Sequence, residues 1–187
     1  MAKLVQCCAV LVLLSQGYHA FAAEIPPALR SWLMAIEALP NAEQLRRAGG
    51  SQTEKLLEAV VSDAQEPIYA RHRALSLLGS LDSPKAVALL QGQLRNRDAA
   101  LRATAVVAWL GGVGRRDSKL ALKFADKLLR DPEVSVRAAA ARALTFVQDP
   151  AAARLIAAKA RAQEKSDQVQ PLLDRTIREL DQRMGNR

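Results

Sequence analysis

Cysteine is missing from this 187-residue sequence after position 8, histidine occurs only at positions 19 and 72, and aromatic residues make up 4% of the chain. Each absence excludes a chemistry. Without cysteine, residues 23–187 can form no disulfide, thiolate metal site or cysteine nucleophile, so the fold must rest on apolar burial. His72 stands without a histidine or cysteine partner, which counts against a transition-metal site. Few aromatics leave little to stack on nucleic-acid bases. No stretch alternates apolar and polar residues for the length of a strand, and beyond residue 14 no apolar run approaches the length of a membrane span. Half of the residues are nevertheless hydrophobic, far from a disordered composition.

The first 22 residues stand apart. Lys3 precedes the apolar run LVQCCAVLVLL (4–14), and Ala20-Phe21-Ala22 forms an A-x-A pattern before Ala23. This is the layout of a secretory signal peptide, too short in its apolar part for a permanent anchor. Gln6 beside Cys7 and Cys8, with no apolar segment ahead of them, argues against a lipoprotein cleavage site. The expectation is export, to the periplasm or the exterior, with cleavage near Ala22-Ala23 and no stable transmembrane anchor.

Residues 23–187 read as helices and punctuation. The nine glycines and eight prolines of the chain fall mostly between apolar periodic stretches. The segment RDPEVSVRAAAARALTFVQDP (130–150) carries Asp-Pro at both ends, each predicting a helix start with aspartate as cap and proline in the first turn. Between them the spacing of Val136, Ala140, Ala143, Leu144 and Val147 predicts one helix over about 132–147. Ser83-Pro84 and Glu66-Pro67 read as further starts, SQTE (51–54) as a capping box, and Asn41 with Gln44 as another. The fold class expected is all-α.

A pattern recurs. ARHRALSLLG (70–79), LRATAVVAWL (101–110) and VRAAAARALT (136–145) each place an arginine ahead of apolar or small residues, and Arg71, Arg102 and Arg137 are 31 and 35 residues apart. Each segment is preceded by a helix with its own stripe: Leu56, Leu57 and Val60, then Val87, Leu90 and Leu94, then Leu120, Phe124 and Leu128. VQPLLDRTIREL (169–180) reads as a degraded fourth copy, with Ile177 where Leu144 sits. A helix pair recurring at this period is the signature of a stacked α-solenoid. DPEVSVRAAAARAL (131–144) resembles the second-helix consensus of HEAT repeats, in particular the short HEAT-like class of phycobilin lyases. The resemblance follows 131–144 most closely and 98–111 more loosely. It spans most of 51–180, departing at GGVGRRDS (111–118) and in the terminal copies. The resemblance implies about four stacked hairpins over 51–182. Such a stack exposes an apolar layer at each end, so residues 23–50 are expected to cap it on the stripe Leu29, Trp32, Leu33 and Ile36, and the polar C-terminus to fray at 183–187.

Candidate sites emerge from charge and register. Without Lys3 the chain carries 26 basic and 19 acidic residues, and most of that excess lies in 95–142. Lys119, Lys123 and Lys127 repeat every four residues opposite Leu120, Phe124 and Leu128. With Arg115 and Arg116 they are either a solvated outer face or an anion-binding stripe. Arg71, Arg102 and Arg137 occupy equivalent repeat positions. By the HEAT resemblance they pair at repeat junctions with acids such as Asp98 and Asp131, or else face a partner. Arg73, Thr104 and Arg142 are the candidates for an inner, partner-binding surface. GGVG (111–114) lacks the Lys-Ser/Thr ending of a phosphate loop and comes after a helix, so it reads as a linker. Trp32 and Trp109 read as packing residues.

No nucleophile lies near a base in the pattern, and no cofactor is expected. HEAT-like proteins include lyases and DNA glycosylases, which keeps an enzyme as the third reading. The first is a non-catalytic scaffold binding a protein on its concave face. The second binds a polyanion, either anionic envelope lipid or polysaccharide or, less favoured by the export signal, nucleic acid.

Overall fold

The computed structural model describes residues 24–35 and 40–185. The expected leader with Cys7, Cys8 and His19, and Ile36 of the N-terminal stripe, lie outside the described residues. Among those described there is helix and no strand. The order is α1 (Pro27–Met34), α2 (Ala42–Gly49), α3 (Thr53–Ser62), α4 (Ile68–Ser80), α5 (Pro84–Gln93), α6 (Ala99–Gly112), α7 (Ser118–Leu128), α8 (Val134–Ala143), α9 (Pro150–Gln163) and α10 (Gln170–Gly185). Single 3-10 turns cover Gly50–Gln52, Val113–Arg115 and Leu144–Phe146.

Neighbours in sequence pair, α3 with α4, α5 with α6, α7 with α8 and α9 with α10, and the second members then pack in succession: α4 on α6, α6 on α8, α8 on α10. First members meet more sparingly, α3 with α5 and α7 with α9, while α1 packs on α2 and α4. This placement explains the composition of each helix. α6 lies between α4 and α8, so it buries Leu101, Ala105, Val106, Ala108, Trp109 and Leu110, an apolar surface that wraps most of the way round. α8 buries Val136, Ala139, Ala140, Ala141 and Ala143. Alanine lets two backbones come close while keeping high helix propensity. Replacing the fully buried Ala140 with leucine is expected to cost about 1–3 kcal/mol by overpacking, read in urea melts. Ala162→Leu, at an exposed site on α9, is the control and is expected to change stability little.

Trp109 ties α6 to α7. Its Nε1–H donates to the Ala121 carbonyl at 3.2 Å, and its ring meets Phe124 edge-on, centroids 5.5 Å apart. Leu29 and Leu33 of α1 are buried and Trp32 is half-buried, as the stripe predicts, although the helix ends at Met34. Arg30 secures α1 through a two-pronged ion pair with Glu66, 2.5 and 2.8 Å, just ahead of α4.

Not every start signal is used as the sequence suggests. Ser83, Asp98, Asp117 and Asp149 cap α5, α6, α7 and α9 by accepting backbone N–H bonds. Asn41 and Gln44 close a capping box at α2, both bonds 2.9 Å. SQTE forms no box. Gly50 turns the chain at φ 61°, Ser51 and Gln52 are already in a 3-10 turn, and Thr53 Oγ1 donates to the Gly50 carbonyl instead. The two Asp-Pro sites also differ from each other. Asp149-Pro150 starts α9 with proline in the first turn. After Asp131-Pro132, by contrast, α8 begins only at Val134, with Glu133 as an N-cap whose side chain makes no capping bond. The helix expected over 132–147 is thus Val134–Ala143 plus a 3-10 turn, and the Asp131 carboxylate accepts the Glu133 N–H just ahead of it.

One further expectation is corrected. GGVG is no linker: Gly111 and Gly112 are the last turn of α6, and Val113 and Gly114 belong to the next 3-10 turn. A Cβ on Gly112 would stand 2.2 Å from the Gly79 carbonyl oxygen, so glycine here serves the approach of α6 to α4. Of the C-terminal segment 183–187 expected to fray, residues 186 and 187 lie outside the described residues. α10 continues to Gly185, and the Arg183 guanidinium donates to the carbonyls of Thr145 and Val147.

A candidate binding face on the second helices

The arginine ladder divides. Arg102 holds Asp131 with both prongs, 2.8 and 2.9 Å, and donates to the Asn96 carbonyl at 2.6 Å, so α6 is clamped to the loop before α8. Arg137 repeats the geometry one step on, holding Glu164 at 2.8 and 3.1 Å while donating to the Asp131 carbonyl. Arg71 breaks the series, since its Nε–H donates to the Val61 carbonyl at 3.0 Å. Asp98, expected as a ladder acid, spends its carboxylate on the N–H groups of Ala100 and Leu101. The acid that the repeat pattern did not reveal is Glu164, in the connector after α9, where no helical register fixes its direction.

Burial alone would raise the Asp131 pKa, but hydrogen bonds from Arg102 and the Glu133 N–H, with the charges of Arg102 and Arg137, leave it below the ordinary aspartate value. For Glu164 the Arg137 bonds dominate over burial, joined by the Ser166 and Lys165 N–H groups, and the carboxyl is again held low. Residues this committed to seams are structural.

A different set of side chains lines the exposed side of the second helices, and contacts link it from end to end. Tyr69 donates its hydroxyl to Met34 Sδ, joining α1 to α4. One turn along α4, His72 Nδ1 lies 2.6 Å from Thr104 Oγ1 on α6, and Arg73 donates to the Trp32 carbonyl. On α6, Thr104, Val107 and Gly111 share a face by their spacing. A Cβ on Gly111 would touch the Phe146 ring at 3.4 Å, so the strip passes to the end of α8. There the Arg115 guanidinium lies 5.3 Å from the Phe146 ring centroid, a cation–π contact. Arg142 is exposed beside it, on a shallow cleft shared with Leu172 and Arg175 of α10.

Met34, Tyr69, Val107 and Phe146 keep between 41% and 47% of their surface exposed along this strip. At its α1 end a cleft of about 520 Å³ opens between Met34, Tyr69, His72 and Arg73. Arg73, Thr104 and Arg142, the candidates for an inner surface, lie along this strip. Val107 and Phe146 were missed. α6 is apolar nearly all round, so no pattern distinguishes its one exposed valine, and Phe146 sits in a 3-10 turn outside the helical period.

The basic stripe is not one surface. Lys119, Lys123 and Lys127 are exposed on α7. Arg115 turns to Phe146, whereas Arg116 donates to the Leu81 carbonyl and pairs with Asp82 at 3.3 Å. Lys127 alone reaches the rim of a cleft of about 320 Å³, floored by Leu94, Phe124 and Leu128.

Among the described residues no group of three or more His, Cys, Asp or Glu is placed to hold a metal ion, and no helix is long and apolar enough to cross a membrane. No family model, curated protein or solved structure matches this chain.

Proposed function

We propose that the chain is a HEAT-like α-solenoid of about four stacked hairpins that is exported and binds a protein partner along the exposed side of its second helices, without catalysis. The observation that carries this reading is the strip from Met34 to Phe146. Four large apolar side chains stay half in solvent along it, while the opposite surfaces of α4 and α6 are packed. Exposed apolar area of that kind, rimmed by polar groups, marks an interaction surface. The order of helix contacts supports the stacking, since each second member packs on the second member of the next hairpin. The polyanion reading is left with Lys119, Lys123 and Lys127, because Arg115 and Arg116 point to other neighbours.

The test is capture from envelope extract at low and moderate salt, using the full chain, a Val107→Glu/Phe146→Ser variant and a Lys119→Glu/Lys123→Glu/Lys127→Glu variant. The expected result is one protein retained by the first and third and lost by the second, with modest salt dependence. Retention that survives the strip changes but falls steeply with salt and with the lysine changes would favour a polyanion instead. The mass of the chain recovered from the expressing cell tests export, which requires loss of residues 1–22.

A further inference from the structure

The three helices behind the strip contain no acidic residue: IYARHRALSLLGS in α4, AALRATAVVAWLGG in α6 and VSVRAAAARA in α8. The chain as a whole has 19 aspartates and glutamates, which therefore lie in caps, connectors and the other helices. Cations are retained on the same helices, and Arg102 and Arg137 have their charges matched by Asp131 and Glu164 on the seam side. On the strip side Arg142 has no partner among the described residues, and Arg115 faces a neutral ring. The acid at the border, Glu179 of α10, is already paired with Arg175 at 2.7 Å. Among the described residues the strip is consequently an apolar surface set on helices that carry cations and no carboxylate, with the paired Glu179 lining the cleft beside Arg142.

We propose that the partner segment is an acidic peptide in which carboxylates are interspersed with large apolar side chains. Its apolar residues would cover Tyr69, Val107 and Phe146, and its carboxylates would face Arg142 and Arg115. The inference rests on the reading of the strip as a binding surface and adds the chemistry of what binds. Charge complementarity selects the sign, since a basic segment meets repulsion from Arg142 and Arg115 and finds no carboxylate on the three helices. The exposed apolar residues select against a plain polyanion, which would leave them in water.

A randomised peptide library selected on the immobilised full chain tests it, with subsequent anisotropy measurements on the enriched peptides and with polyglutamate and heparin as comparison ligands. The expected result is enrichment of peptides carrying both acidic and large apolar residues, with affinity lowered about tenfold or more by Arg142→Glu and by Val107→Glu. Binding is expected to be unchanged by the triple lysine-to-glutamate variant. Enrichment of neutral or basic peptides that remain sensitive to Val107→Glu would overturn the acidic assignment and leave the binding face standing. Enrichment insensitive to Val107→Glu, or no enrichment, would overturn both. Polyglutamate or heparin binding as tightly as the selected peptides would replace the acidic apolar peptide with a simple polyanion.

Discussion

Gly112→Ala is expected to destabilise the protein by about 3 kcal/mol or more, lowering the melting temperature by about 10 °C. The new Cβ would stand 2.2 Å from the Gly79 oxygen and 2.9 Å from its carbonyl carbon. Both obstacles are backbone, so no rotamer change relieves the overlap. Either α6 retreats from α4, loosening dispersion contacts along the whole seam, or its last turn unwinds. Gly79 faces the same constraint from the other side, where a Cβ would lie 2.9 Å from the Ala108 oxygen. Glycine costs helix stability in itself, so retaining it here has to be offset by packing. Gly92→Ala on α5 supplies the contrast: nothing lies within 4 Å of its added methyl, and a gain of about 0.5–1 kcal/mol is expected. Urea melts of both variants check the two effects, and a Gly112→Ala protein as stable as the parent would refute the close approach.

Asp131→Ala is expected to cost about 3 kcal/mol, the next largest effect. Both side chains of the Arg102–Asp131 pair are 12% exposed, so removal of the acid leaves a guanidinium largely withdrawn from water with the Asn96 carbonyl as its remaining partner. The Glu133 N–H loses its acceptor in the same step. The residual exposure keeps the figure at the low end for a broken buried pair. Urea melts at neutral pH measure the loss.

The pair also sets a pH dependence. The folded pKa values of Asp131 and Glu164 lie below their unfolded values, so the unfolded chain binds more protons in the acid range and stability rises with pH there. Their contribution is complete above the unfolded carboxylate pKa of about 4, and is lost as pH falls through the depressed folded values. Unfolding free energies measured between pH 6 and the acid limit are expected to fall less steeply in Asp131→Asn than in the parent. Parallel slopes would remove Asp131 from that role.

How far the sequence reaches can be judged from the aspartates. Asp98, Asp131 and Asp149 look alike to a local reading, each lying just before a helix with proline or alanine next. Asp98 and Asp149 are caps, and the structure uses them as a local rule predicts. Asp131 faces Arg102, 29 residues earlier, and holds it with both oxygens while accepting the Glu133 N–H one residue ahead of the helix. Glu164 likewise answers Arg137 over 27 residues. The glycines divide likewise. Gly50 could be read as a stop from its doublet, whereas Gly112 looked like linker because its clash partner, Gly79, is 33 positions away in the chain.

Local periodicity and composition were sufficient to determine the all-helical character of the described residues, the positions of most helix starts, the inward apolar stripes and the absence of thiol chemistry after residue 8, since each depends on composition or on residues within about one helical turn of each other. Only tertiary structure decided which aspartate caps and which clamps, why Gly112 must be glycine, and that Met34, Tyr69, Val107 and Phe146 stay half-exposed along one strip. Those outcomes depend on which helix lies against which. That is a competition between groups far apart in the chain, and no window of sequence contains both competitors.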